Sequence, residues 1–455
     1  MSNHFDRRNF FKTMAAAGIG IAVSENIFAA AGPERVMSPF TRIPVSGPME
    51  RVRIGYVGVG GMGTAHVENL LKIKGAEIVA VCDIVESRVQ RAQDMVAHAG
   101  FARPAGYSQG PEDFRRLCER GDLDLVYTAT PWEWHVPVCV AAMKNGKHAA
   151  TEVPAALTID ECWELIETSE KTGKYCIMME NCNYDKVEMM ILNMVKKQMF
   201  GELVYAECGY LHDLRGVKFD MNGEGVWRRS WSTRSNGDLY PTHGLAPVAQ
   251  CLDINRGNNF DYLVSFGTKS RGLHEFAVKR FGAESKEAAE KYVLSDVVTT
   301  VIKTMNDETI VLTHDTSLPR PYSRNILVQG TKGIVRKYPD PKIYIEGVSK
   351  TNDRWEPIKK YMKEYKHPVW VDLEKSSKGA GHGGMDFIED YRLVNALLRG
   401  VDPDMDVYDA AVISAVTELS GTSIAKQGQP VKFPDFTRGM WKTPRALKVM
   451  EEFAS

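Results

Sequence analysis

The stretch NGDLYPTHGLAPVAQCLDIN, residues 236–255, sets Tyr240 and His243 three positions apart around Pro241 and Thr242, at the start of a helical pattern. Such a pair serves either as core filling or as a proton-handling centre. A histidine titrates near neutrality, at about 6.5 when unperturbed, which suits general acid–base work. A tyrosine titrates near about 10, so it needs a lowered pKa, which a nearby positive charge supplies. Other polar and aromatic residues stand out in the same half of the chain. Tyr210 and His212 end an apolar strand, Arg228 and Arg229 follow Trp227 in what reads as a polar loop, and Tyr322 lies in PRPYSRN. Each alone reads more readily as structural, since a tyrosine often caps a core with its hydroxyl at the rim. Spacing along the chain does not show whether they converge.

The elements that must position these residues begin with RVRIGYVGVGGMGTAHVENLLKI, an apolar strand, a glycine turn and a helical pattern. Gly58, Gly60 and Gly63 form G-x-G-x-x-G in the strand–turn–helix setting of a dinucleotide site. The first glycine permits the tight turn, the second admits a pyrophosphate, and the third lets helix and strand pack closely. AEIVAVCD is a second strand, and Asp83 ends it 20 residues after Gly63. A carboxylate there accepts hydrogen bonds from a ribose and repels a 2′-phosphate, which favours NAD over NADP. LDLVYTATPWEWH runs from a buried strand into a loop with Trp132, Glu133, Trp134 and His135. GKHAATEVP breaks at Glu152-Val153-Pro154, and KYCIMMENCNY leaves Asn181 at the same edge. Ligands of open parallel sheets sit beyond the carboxyl ends of the strands, so these loops should border the cofactor.

Residues 50–182 therefore read as a Rossmann domain. Residues 183–455 read as a substrate-binding α+β domain with a large, mostly antiparallel open sheet and late helices. A helix is expected over about 186–198, and MNDET and GTKG read as turns between strands. GGMDFIEDYRLVNALLRG and VYDAAVISAVTELSGTSIAKQG read as amphipathic helices. An exposed sheet face would be compatible with a homo-oligomer.

The chain has 455 residues, 44% of them hydrophobic, and a formal net charge of −1. This balance offers no basic surface for nucleic acid. DRRNFFKTMAAAGIGIAVSENIFAAAG has the charged, apolar, small-residue order of an export signal. Arg7 and Arg8 with Asn9, Phe10 and Phe11 resemble a twin-arginine signal, so residues 1–31 are expected to direct export to the periplasm, with a linker at 32–49. The apolar run Met14–Val23 is far short of the roughly 20 residues that span a bilayer. The eight cysteines, from Cys82 to Cys251, include no CxxC pair or cluster at metal spacing, so they read as small core residues and no metal is expected.

Together, the glycine turn, TATPWEWH, GKHAATEVP and GDLYPTHGLAPVAQCLDI resemble the Gfo/Idh/MocA oxidoreductase-like family across the mature chain. Typical members carry Glu-Lys-Pro where this chain has Glu152-Val153-Pro154, and often an Asp where it has Tyr240. A closer resemblance, through MENCNYDKVEMMILNMV, FGELVYAECGYLHDLR and LYPTHGLAPVAQCLDINRG, is to glycoside hydrolase family 109, the NAD-dependent α-N-acetylgalactosaminidases. That resemblance implies a cycle in which bound NAD takes hydride from sugar C3, a base removes the C2 proton as the C1 substituent leaves, water adds, and the hydride returns. Such enzymes stand outside the two-carboxylate mechanism. The resemblance further implies a cofactor set of Met62, Gly63, Asp83, Trp132, Glu133, Trp134, His135, Glu152, Val153 and Asn181. Its sugar set is Tyr210, an arginine at or beside Arg228, Tyr240, Pro241, Thr242, His243 and Tyr322, with Tyr240 and His243 as the proton-transfer pair. The rival readings are a plain NAD-dependent sugar or polyol dehydrogenase and a non-catalytic sugar-binding protein that retains NAD.

Overall fold

The structure is a computed structural model, and it describes residues 43–451. The segment read as an export signal lies outside the described residues, as does most of the linker. Among the described residues no helix is long and apolar enough to cross a membrane.

The first sheet is wholly parallel. Its strands are β1 (Val52–Val57), β2 (Ala76–Cys82), β3 (Ala105–Tyr107), β4 (Leu125–Thr128), β5 (His148–Thr151) and β6 (Cys176–Met178), in the order β3-β2-β1-β4-β5-β6. The central strands are almost continuously apolar and buried, as a parallel sheet covered on both faces requires. The order reverses between β1 and β4, which opens a crevice at their carboxyl ends. Helix α1 (Gly61–Leu70) starts in that crevice. A side chain at Gly63 would place its Cβ 1.9 Å from the carbonyl oxygen of Gly58, so the helix can lie this close only with glycine there.

The second sheet has nine strands in the order β14-β13-β12-β11-β7-β10-β9-β8-β15. They are β7 (Leu203–Leu211), β8 (Phe260–Gly267), β9 (Val298–Thr304), β10 (Thr309–Asp315), β11 (Leu327–Gly330), β12 (Gly333–Arg336), β13 (Lys342–Ile345), β14 (Glu356–Pro357) and β15 (Val431–Lys432). Every pairing is antiparallel except β7 with β10. The turns at MNDET and GTKG join β9 to β10 and β11 to β12 as the sequence suggests. Alternation in β9 buries Val298, Thr300 and Ile302 and leaves Thr299 and Val301 exposed, so one face packs and the other stays open.

Two segments differ from their sequence reading or carry more than it foresaw. The stretch taken as a polar loop forms helix α2 (Gly225–Arg234). Its sequence, rich in Ser and Arg, has little helical apolar pattern. The helix is supported by Trp227 and Trp231, four apart on one side, whose rings lie 4.9 and 6.2 Å from that of Trp132. Helix α3 (Thr242–Cys251) crosses the packed face of the second sheet, and a Cβ at its Gly244 would come within 2.3 Å of the Gly209 nitrogen in β7. This backbone contact lowers the start of α3 onto the strand carrying Tyr210. The late helix α4 (Met385–Arg399) returns to the first sheet, where Phe387, Leu393, Val394 and Leu397 join the core around β1 and α1. All eight cysteines are buried and free.

Candidate active site

A cavity of about 920 Å³ runs from the α1 turn along the carboxyl ends of β1, β2, β4 and β5 to α2 and Tyr240. Gly58, Gly60, Met62, Asp83, Trp132, Trp134, His135, Glu152, Val153 and Arg228 all line it. The helix N-cap, Gly60, makes no side-chain capping bond, so the first-turn N–H groups of α1 are left to meet an anion. Asp83 is fixed at the end of β2, where Oδ2 accepts the Val59 N–H at 3.0 Å and Oδ1 accepts the Val85 N–H at 2.9 Å. Volume, uncapped helix start and an oriented acid fit a dinucleotide lying along this crevice.

Three of the residues expected beside the cofactor do other work. The Glu133 carboxylate accepts the Trp231 indole N–H at 3.3 Å and so ties the WEW turn to α2. The His135 ring nitrogens lie 2.7 and 2.9 Å from the carbonyls of Pro154 and Thr130, and burial lowers its pKa, so the ring braces the cavity floor as a neutral donor to one of them. Asn181 is outside the cavity lining and donates to Asp386 Oδ1 at 2.7 Å. Glu152 does face the cavity, and it is held from behind. His66 Nε2 lies 2.7 Å from Glu152 Oε1, and His66 Nδ1 lies 2.9 Å from Asp390. A ring with carboxylates at both nitrogens donates to both only as imidazolium. Burial opposes that charge, but Asp390 and Glu152 together hold His66 well above the usual histidine range.

The sugar-side candidates converge. The Tyr240 ring centroid is 4.9 Å from that of His243 and 4.6 Å from that of Tyr210, and Tyr210 and His243 are 5.3 Å apart. Tyr322 joins at 6.2 Å from Tyr210, with its hydroxyl accepting from Arg324 at 3.2 Å. His212, not among the expected site residues, has Nδ1 2.9 Å from the Tyr210 hydroxyl. Pro241 is the N-cap of α3 and the buried Thr242 its first residue, and together they space the pair. Of the adjacent arginines, Arg228 reaches the cavity, its guanidinium 5.3 Å from the Trp132 ring and 5.5 Å from Tyr240, with Glu224 at 2.6 Å. Arg229 points the other way, to Phe219 and Glu290.

The residue that sequence reasoning missed is Glu180. Its fully buried carboxylate lies 2.7 Å from His243 Nδ1. Burial would raise its pKa, but the facing His243 holds it below the ordinary value. With Nδ1 donating to Glu180, His243 keeps its lone pair on Nε2. Burial pushes the Tyr240 hydroxyl well up, against the nearby Arg228, so it holds its proton at neutral pH, contrary to the lowered pKa wanted for a tyrosine base. Among the described residues Glu180, Cys182 and His243 are the one group of three near enough to share an ion. Glu180 Oε1 accepts the Cys182 N–H at 3.0 Å and faces His243, and burial keeps the Cys182 thiol protonated, which disfavours a metal there.

Behind the cluster, buried Lys218 donates only to the hydroxyls of Thr316 (2.8 Å) and Ser317 (3.3 Å). Burial, with help from Arg228, lowers its pKa to about 7. The folded protein thus disfavours the charged form, a cost complete below about pH 7 and gone above the unfolded value near about 10.4. Lys218→Met is expected to stabilise the fold by about 2 kcal/mol at pH 6, less at pH 9, after loss of two hydrogen bonds. Thermal melts at the two pH values check the sign.

A family model described as glycosyl hydrolase 109, C-terminal domain, matches residues 184–443, and one described as oxidoreductase family, NAD-binding Rossmann fold, matches 52–180. A glycosyl hydrolase family 109 protein of Saccharopolyspora erythraea is 43% identical over 447 residues, covering 97% of this chain and 96% of its own. Another, from Shewanella sp. (strain MR-4), is 40% identical over 458 residues, covering 98% of this chain and 99% of its own. The chain belongs to glycosyl hydrolase family 109. The fold of this family 109 chain is shared with an NAD binding oxidoreductase from Klebsiella pneumoniae (TM-score 0.65, 16% identity, covering 85% of this chain and 100% of that one). It is also shared with a scyllo-inositol dehydrogenase from Lactobacillus casei described with bound NAD(H) and scyllo-inositol (TM-score 0.58, 15% identity, 84% and 99% covered). Family 109 membership and fold together make this a glycoside hydrolase with a nicotinamide dinucleotide site.

Proposed function

We propose that the protein removes terminal α-linked N-acetylgalactosamine by transient oxidation at C3, elimination across C1–C2, addition of water and re-reduction, with NAD as the dinucleotide. The observation that carries this reading is the Glu180–His243 pair, set against Tyr240 and Tyr210 at the end of the dinucleotide cavity. When bound, NAD supplies a reversible hydride acceptor for sugar C3. Asp83 at the ribose position favours NAD over its 2′-phosphorylated form by charge. A ketone at C3 acidifies the C2 proton, and His243 Nε2 receives it while Glu180 stabilises the resulting imidazolium. As the hydride leaves C3, the hydroxyl proton passes through the Tyr210 hydroxyl to His212, whose Nδ1 lies 2.9 Å from it and whose pKa burial lowers, and it returns on re-reduction. The protonated Tyr240 hydroxyl donates to the C3 oxygen, and Arg228 adds positive charge there. Trp132 and Trp227 exclude water from this end. Val153 stands where related dehydrogenases carry lysine, which leaves proton handling to the tyrosine–histidine pair. The Arg7–Arg8 signal supports action after export of the folded protein to the periplasm.

Incubation with an aryl α-N-acetylgalactosaminide in deuterated water tests the reading. Aryl release with deuterium at sugar C2 and no net NADH is the expected result. Release without label in a fully exchanged solvent would overturn the elimination route. Oxidation of free sugar with accumulating NADH would make the protein a dehydrogenase instead, and binding without any turnover would leave a sugar-binding protein.

A further inference from the structure

Lys218 is a buried cation for which the proposed reaction has no use. It ends the short helical turn Arg215–Lys218, is 3% exposed, and donates to Thr316 and Ser317 just beyond β10. An ammonium has three N–H donors, so one remains. Among the described residues no carboxylate lies within ion-pair distance of it. The charges that act on it are Arg228 on α2, which repels it, and Asp315 and Asp296, which attract it. Both acids are committed elsewhere: Asp315 Oδ2 accepts from Arg320 at 2.8 Å, and Asp296 accepts the N–H groups of Arg271 and Gly272.

A second cavity, of about 10 Å³, adjoins this ammonium and shares Tyr240 and Arg228 with the larger one. It has room for about one guest of water size. Lys218, His314, Thr316, Ser232 and Arg228 line its polar side, and Leu214, Leu239 and Leu294 much of the remainder. Among the described residues that line it, none is a carboxylate. His314 stands on β10 opposite Tyr210 of β7 and is 2% exposed, and its Nδ1 has no hydrogen-bond partner among the described residues. Burial and the Lys218 charge push its pKa down to about 3, so the ring is neutral, with one N–H to place. The Thr316 hydroxyl accepts from Lys218, which leaves its own proton for another acceptor. The cavity thus gathers donors and positive charge. A cation is repelled there, and a phosphate is too large for the space. A water molecule would accept from two of these donors and leave the charge uncompensated. A monatomic anion accepts from all of them and supplies the missing counter-charge.

We propose that this cavity is a halide site, in which one chloride ion accepts from Lys218 Nζ, His314 Nδ1 and Thr316 Oγ1. The ion fixes Lys218 as ammonium and screens it from Arg228, tying the turn after β7 to the end of β10 beside the sugar residues. Charge linkage sets its pH dependence. Burial and Arg228 lower the Lys218 pKa to about 7, so an anion that needs the ammonium binds best below about pH 7 and loses its hold as pH rises through that value. Across this range His314 stays neutral, Arg228 charged, and Tyr210 and Tyr240 protonated, so the titration belongs to Lys218.

Thermal melts of the full chain in sodium bromide, against sodium gluconate at equal ionic strength, test the site. At pH 6, bromide at about ten times its dissociation constant is expected to raise the melting temperature by about 1–3 °C, and the same concentration at pH 9 should leave it unmoved. Lys218→Met, which removes the cation, should show no rise at either pH. His314→Leu, which keeps the ammonium and removes one donor, should need about tenfold more bromide for the same rise. A crystal soaked in bromide should show anomalous density between Lys218, His314 and Thr316. An equal rise in wild type and Lys218→Met, an equal rise at both pH values, a His314→Leu response matching wild type, or bromide density at the surface alone overturns the proposal. No rise at pH 6 overturns it too and assigns the cavity to water.

Discussion

His243→Asn is expected to lower kcat on an aryl α-N-acetylgalactosaminide by about 10²–10⁴-fold while the protein keeps its fold and its dinucleotide. Asparagine is the informative choice because its amide can still donate to the buried Glu180 carboxylate, which alanine would leave without its partner. Only the acid–base function is removed. Melting temperature and retained dinucleotide serve as the fold controls, and a variant that keeps its rate would remove His243 from the reaction. Glu180→Gln probes the same dyad from behind. The His243-facing carboxylate has a folded pKa below its ordinary value, so its contribution to stability is present above the ordinary value and lost as pH falls through the folded one. The melting temperatures of wild type and Glu180→Gln should therefore differ most at neutral pH and converge in acid. A gap that widened in acid would mean that Glu180 is not held as the anion.

Gly63→Ala is expected to abolish dinucleotide retention and to destabilise the fold by about 3 kcal/mol or more. The added methyl would sit 1.9 Å from the Gly58 carbonyl oxygen and 3.1 Å from the Tyr56 ring. The first of these is backbone, so relief requires α1 to move away from β1, and that movement opens the turn on which a pyrophosphate would rest. Gel filtration followed by the absorbance of released dinucleotide reads the first effect, and a thermal melt reads the second. Gly121→Ala is the control, since nothing lies within 4 Å of its Cβ position, and it should behave as wild type. Retention of dinucleotide by Gly63→Ala would show that helix and strand can separate without losing the site.

Much of the first sheet and part of the candidate site were legible from residue order, for a physical reason. Gly58, Gly60, Gly63 and Asp83 belong to one strand–turn–helix–strand unit in which every geometric demand is local. Tyr240 and His243 flank the start of one helix, so their spacing alone brought them together. The hairpins at MNDET and GTKG were equally local. Helix α2 was not legible, because Trp227 and Trp231 find their apolar partner in Trp132, roughly a hundred residues earlier. The choice between Arg228 and Arg229 waited on that helix, which turns neighbouring residues about 100° apart.

What the sequence by itself determined is the dinucleotide turn, the strand–helix alternation, the open antiparallel sheet and the tyrosine–histidine pair, all set by periodicity, turn chemistry and short spacing. What only the tertiary structure decided is how that pair is made to work. Glu180 meets His243 across 63 residues and His66 meets Asp390 across 324. Such contacts arise from how α3 settles on β7 and how α4 returns to α1. A buried carboxylate carries no mark in the sequence of which distant histidine will compensate its lost hydration; only packing brings the two together.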